Sequence, residues 1–239
     1  MRIGLLILGA CVVLYWGARF IYLFSVAIRM TSQTVPFERV SDDTSISLLV
    51  LGDSTAVGVG AGSPEESVPG RVAAYIGATY VENHAVSGSL VNDVPPQVTK
   101  AALPQYRMIL LQIGANDIVR FHDADKTATQ LGSVLESLPP ADSVIVISAG
   151  DVGTARIFSP PLRPLHTRVN QQYHAAFANA AQARGVTYID LSQGPGAELF
   201  EKEPHRYFAR DRFHLSSDGY GLWFDAIKEV LEKGEPRVP

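Results

Sequence analysis

Short β-branched runs that alternate with stretches of helical periodicity constrain this chain more than any other feature. The runs occupy residues 46–51, 106–113, 143–148 and 186–190, with a weaker one at 79–81. Their length and content are those of buried strands. Between and after them, apolar residues recur at helical spacing over 66–76, 94–102, 126–138, 165–183 and 217–232. Strands that alternate with helices build a parallel sheet covered on both faces. The 239 residues, 46% of them hydrophobic, suffice for one such domain with a short appendage. In an open parallel sheet, ligands bind beyond the carboxyl ends of the strands, so chemistry is sought in the residues just past those ends.

The appendage is the N-terminus. From Ile3 to Ile28 only Arg19 is charged, and the stretch exceeds the roughly 20 residues that a helix needs to cross a bilayer. A span over residues 3–21 puts Arg19 near its end, where the guanidinium can snorkel, with Tyr15, Trp16 and Tyr22 as interfacial aromatics. The expected organisation is an uncleaved signal-anchor at 1–28, a polar linker containing Pro36 at 29–45, and one domain at 46–239. The rivals are a cleaved signal peptide, which lacks a following small-x-small site, and lipidation at the "LGAC" stretch ending in Cys11. The preferred location is the cytoplasmic membrane, single-pass, with the domain on the extracytoplasmic (periplasmic) side. Arg2 favours a cytoplasmic N-terminus, while Arg19 and Arg29 oppose it. Cys11 is the sole cysteine, which excludes an intramolecular disulfide and a thiolate metal cluster. A formal charge of -4 without a long basic run gives no footprint for nucleic acid.

The strand ends carry a consistent set of reactive side chains. Ser54 lies three residues past Leu51, and Asn116 lies three residues past Ile113. Equal offsets on parallel strands place both on one rim of the sheet. Gly52 and Gly114 precede them and permit tight turns. Gly88 sits in the small-residue loop "ENHAVSGSL", and "ARDRFHLSSDG" brings Asp211 and His214 in just before a helix start at Ser216, Ser217 and Asp218. A hydroxyl becomes a nucleophile when a base takes its proton, and imidazole is suited to that task near neutral pH. A carboxylate then fixes the imidazole and stabilises its cation. Ser54, His214 and Asp211 can fill these roles, and the Ser54 and Gly88 N–H groups with the Asn116 carboxamide can receive a developing oxyanion.

These residues resemble the four ordered blocks of the SGNH hydrolases, the GDSL esterase/lipase family. The blocks are "GDS" with Ser54, Gly88, "GAND" with Asn116, and "DRFH" with Asp211 and His214. The resemblance spans about residues 48–223. It implies a flavodoxin-like three-layer α/β/α sandwich, here with a five-stranded parallel sheet behind an N-terminal transmembrane helix. It further implies a catalytic Ser54, Asp211, His214 triad, an oxyanion hole from Ser54, Gly88 and Asn116, hydrolysis of carboxylic esters of lipid or acetylated carbohydrate, and no cofactor. Thr55 stands where the name-giving motif has leucine, a packing position that bears on lipid preference.

Other readings attach to the same residues. Gly58, Gly60 and Gly62 invite a phosphate cradle, yet no P-loop lysine follows and the spacing is not G-x-G-x-x-G. Under the esterase reading this run leaves room for substrate beside Ser54, with Gly60 lining it. Arg156, Ile157 and Phe158, in the Pro- and Gly-containing loop at 148–164, are the other candidate substrate contacts. Arg206, Arg210 and Arg212 around Asp211 are candidates to hold it ionised or to meet an anionic headgroup. Asp53 and Asp117 read as turn acids, and Ser87 and Ser89 as flanking residues. His84, His122, His166, His174 and His205 lack ligand spacing, so no metal site is assigned. A non-catalytic anchored domain that binds envelope carbohydrate or lipid is the alternative function.

Overall fold

The computed structural model of the chain describes residues 2–193 and 196–234. An apolar helix α1 (Arg2–Gln33) leads into strand β1 (Ser47–Gly52), a single turn α2 (Ser54–Val57), α3 (Val68–Ile76) and β2 (Tyr80–Asn83). A single turn α4 (Pro95–Val98) precedes β3 (Tyr106–Gln112), α5 (Ala115–Val119), α6 (Ala124–Ser137) and β4 (Ala141–Ile147). The chain closes with α7 (Arg163–Gln182), β5 (Thr187–Ile189), the short α8 (Leu199–Lys202) and α9 (Pro204–Tyr207), and α10 (Ser217–Gly234).

The five strands are all parallel, in the order β2-β1-β3-β4-β5. All of β1 is buried, as is β3 from Met108 onward, because helices cover both faces. That is why these strands read as unbroken apolar runs. Helix α3 packs with α10 and α6 packs with α7, giving the three layers. The chain leaves β1 towards β2 on one side and resumes with β3 on the other. The carboxyl ends of β1 and β3 therefore flank the point where strand order reverses, the crevice in which such sheets bind ligands.

Two expected elements take a different form. The periodic stretch at 94–102 is helical only as α4, after a 3-10 turn at Val91–Asp93. Pro95 and Pro96 start α4, which stops at Val98, and Leu103-Pro104 would in any case end a helix there, since the residue before a proline avoids helical angles. At the N-terminus, α1 runs to Gln33, into the polar stretch. Beyond it Phe37 is buried in the core, the Arg39 backbone pairs antiparallel with Val81 on β2, and Arg39 Nη1 donates to Ala78 O at 2.5 Å. This stretch is docked along an edge of the domain. Helix α1 contains a segment, Leu6–Gln33, that is long and apolar enough to cross a membrane and is mostly unburied. Its lower half rests on the domain: Leu23 and Ala27 are buried, and the Arg19 guanidinium donates to the carbonyls of Arg156, at 2.7 Å, and Ile157, at 3.4 Å.

Candidate active site

Ser54 follows a strand end that leaves no freedom. At Gly52, φ is +135°, and a Cβ would lie 1.8 Å from Gln112 O. Only glycine lets β1 pass so close to β3 while it turns. Asp53 then caps α2: its Oδ1 accepts from Thr55 N and Thr55 Oγ1, both at 2.9 Å. Ser54 is the first residue of that turn, so its N–H is not consumed by helix bonds. The Asp53 side chain is fully buried, its Oδ2 has no partner among the described residues, and burial pushes its pKa up to about 6.

His214 comes from the far end of the chain on a tight loop. Phe208 and Leu215 form an antiparallel bridge, Ala209 N donates to His214 O at 2.8 Å, and Arg212 adopts a left-handed conformation at φ 61°. Asp211 Oδ1 accepts the Phe213 and His214 N–H groups, each at 3.0 Å, while Oδ2 faces His214 Nδ1 at 2.5 Å. The D-x-x-H spacing has this cause: one carboxylate closes the turn and reaches the ring that the turn carries. A carboxylate only accepts, so Nδ1 carries the proton. Nε2 is then free to accept from the Ser54 hydroxyl, 2.9 Å away. Asp211 is completely buried and Ser54 and His214 nearly so, which strengthens each of these hydrogen bonds.

Gly88 and Asn116 border the same cleft as Ser54 and His214. Nothing lies within 4 Å of where a Gly88 side chain would begin, so this stretch of backbone is open to a ligand. Asn116 Nδ2 donates to Ser89 O at 3.0 Å, which fixes the carboxamide plane. Gln97 is the residue that sequence reasoning missed. Its buried side chain accepts from Gly52 N at 2.8 Å and donates to Gly52 O at 2.9 Å and to Ser89 Oγ at 3.1 Å. It thereby ties the turn before Ser54 to the loop of Gly88. Nothing in "PPQV" signals this, because Gly52, its main partner, is 45 residues away. Asp117 is likewise a positioning residue, its Oδ2 accepting from Val91 N at 3.1 Å.

The expected substrate contacts divide. Phe158 lines the cleft and stacks on His166, ring centroids 4.1 Å apart. Gly60 does not border the cleft. A Cβ there would lie 2.2 Å from Leu215 O and 3.3 Å from His214 Cβ, so the space at Gly60 is filled by the loop that carries His214. Gly58 and Gly62 are similarly closed in, by Ser67 and by Glu66 and Ser217. The Arg156 side chain also points elsewhere, pairing with Glu201 at 3.0 Å. Among the nearby arginines, Arg206 pairs with Asp218 at 2.8 Å, and Asp211 is held by backbone N–H groups instead.

Two cavities meet at Ser54 and His214. One is a small apolar pocket of about 50 Å³ whose walls include Ala149, Ala155, Phe208 and Trp223. The other is the open cleft of about 500 Å³ shared with Gly88 and Asn116. The arrangement as a whole can take a proton from Ser54 and present N–H donors beside it.

The chain was compared with known proteins on this basis. The family model of the GDSL-like lipase/acylhydrolases matches residues 50–222. A GDSL-like esterase of Mycobacterium tuberculosis is 30% identical over 203 residues, which cover 81% of this chain and 62% of that relative. The chain thus spans less than two thirds of the relative's length. Among solved structures, a phospholipase A1 from Streptomyces albidoflavus matches with a TM-score of 0.62 at 18% identity, over 77% of this chain and 98% of its own. A catalytic mutant of Axe2, an acetylxylan esterase from Geobacillus stearothermophilus, matches with a TM-score of 0.57 at 20% identity, over 84% and 99%. At these identities the structural likeness concerns the fold.

Proposed function

Because the chain belongs to the GDSL-like lipase/acylhydrolase family, we propose that it hydrolyses carboxylic esters through an acyl-enzyme formed on Ser54. His214 Nε2 takes the hydroxyl proton as Ser54 Oγ attacks the ester carbonyl. The negative charge that develops on the carbonyl oxygen is received by the Ser54 and Gly88 N–H groups and Asn116 Nδ2. His214 then returns the proton to the departing alkoxide, which leaves as an alcohol. Water repeats the sequence against the acyl-enzyme, releasing the carboxylic acid and restoring Ser54. Asp211 holds the Nδ1–H tautomer throughout and offsets the imidazolium charge.

One observation carries this reading: the buried relay from Ser54 Oγ to His214 Nε2, at 2.9 Å, and from His214 Nδ1 to Asp211 Oδ2, at 2.5 Å. Relatives named for phospholipid and for acetylated xylan share the fold, so lipid acyl esters and acetylated carbohydrate are the substrate classes. The upper half of α1 is the uncleaved anchor in this proposal, with the domain on the extracytoplasmic face of the cytoplasmic membrane. The exposed Ile3, Leu6, Leu8, Val13 and Leu14 support insertion of this half into a membrane.

The test is hydrolysis of p-nitrophenyl esters by the full chain in detergent micelles, with and without Ser54→Ala. The substitution is expected to lower kcat by about 10⁴-fold or more with the melting temperature preserved. Activity that survives in Ser54→Ala sinks the proposal, and so does absence of hydrolysis in both proteins, which is the outcome for a non-catalytic binding domain.

A further inference from the structure

The cleft at Ser54 has two walls that come from distant parts of the sequence. One includes Ile157, Phe158 and Phe213 of the domain, and the other is Phe20, Phe24 and Ile28 of α1. The three α1 residues fall at i, i+4 and i+8, hence on one stripe of the helix. Phe20 and Phe24 stack with centroids 5.9 Å apart. The cleft holds about 500 Å³, against about 50 Å³ for the pocket on the other side of Ser54, and sits within the usual range of small-molecule sites, roughly 300–1,000 Å³. Apart from His214, Arg120 is the single ionisable side chain on its border among the described residues. Thr31, Ser32, Ser87 and Asn116 add polar groups at its border, but the lining is mostly apolar and suits a hydrocarbon chain.

The two walls are bonded to each other. Arg19, one residue before Phe20, donates to the carbonyls of Arg156 and Ile157, and Ile157 is itself part of the opposite wall. Burial of Leu23 and Ala27 seats the next two turns. The apolar surface of α1 that faces away from the domain continues past Arg19, with Ile21 70% and Tyr22 66% exposed. A bilayer core needs about 20 helical residues, which counted from Ile3 reach Tyr22, level with Phe20 and Phe24. With α1 as the anchor proposed above, the mouth of the cleft lies where the membrane ends.

We propose that the lower half of α1 is a wall of the acyl-chain site, with Phe20, Phe24 and Ile28 as specificity-determining residues for long-chain esters drawn sideways from the bilayer. This rests on the ester-hydrolase reading above and selects the lipid class within it. The full chain in one fixed detergent is assayed on p-nitrophenyl esters from acetate to dodecanoate. Two variants at these half-exposed positions, Phe20→Ala with Phe24→Ala, and Phe24→Asp, are expected to lose at least tenfold in kcat/KM on dodecanoate and less than threefold on acetate. Val13→Ala, remote from the domain, leaves the chain-length profile unchanged. Melting temperatures within a few degrees of the parent show that the variants fold. A loss equal at every chain length, or no loss at all, overturns the wall while leaving the hydrolase reading in place. A parent protein without Ser54-dependent hydrolysis of any ester overturns both.

Discussion

Asp53 immediately precedes the nucleophile and caps its turn, and its burial has a measurable consequence in pH. Its carboxyl is raised from 3.8 to about 6, so the folded state binds this proton more tightly than the unfolded chain. The resulting stability is complete below about pH 4 and is lost as pH rises through about 6. The gap corresponds to about 3 kcal/mol. Asp53→Asn has no such proton, so its melting temperature relative to the parent is expected to climb between pH 4 and pH 7 in a calorimetric series. A flat difference would show that the ionised carboxylate is not disfavoured there. Asn116 offers a kinetic counterpart: Asn116→Ala is expected to lower kcat about 10²–10³-fold with KM little changed, as for loss of one oxyanion donor. Ser54 and Asn116 were readable in the sequence because each follows a strand end, although they lie two residues past Gly52 and four past Gln112 and not at the equal offsets expected, and Asp211 and His214 because a short turn joins them. Gln97 was not, because its role arises only when the chain folds it back onto Gly52.

At the scale of elements, the strands and long helices followed from periodicity, with bounds shifted by a few residues. What periodicity did not reveal was how short segments fill the space between them. The glycines after α2 read as open room for substrate, yet the 209–215 loop fills the space at Gly60, and Ser67, Glu66 and Ser217 close in Gly58 and Gly62. Composition reports a missing side chain without saying which neighbour moves in. A specific outcome follows. Gly60→Val meets Leu215 O and His214 Cβ, displaces the imidazole, and is expected to depress hydrolysis of acetate and dodecanoate esters alike, by tenfold or more in kcat/KM. A loss confined to large esters would return Gly60 to the substrate site.

The whole molecule is less divisible than its sequence. The polar, proline-containing stretch at 29–45 lacks periodicity and reads as a linker. In the fold it contributes Phe37 to the core and Arg39 to the edge of the sheet. A fragment that begins at Ser41 discards both, whereas one that begins at Thr34 keeps them. The longer fragment is expected to be more stable by about 3 kcal/mol, the usual cost of removing a buried phenylalanine, as read by urea denaturation. Equal midpoints would mean that the stretch does not support the domain. The bonds from Arg19 to the 156–157 backbone bear on how the protein meets its substrate. Under the membrane anchor proposed above, a helix stapled at that point is no flexible leash, and the reacting hydroxyl keeps a constant height over the lipid plane. Encounter then becomes a two-dimensional search, and turnover should track the mole fraction of ester among the surrounding lipids, being diluted by inert ones, whatever the amount in bulk solution.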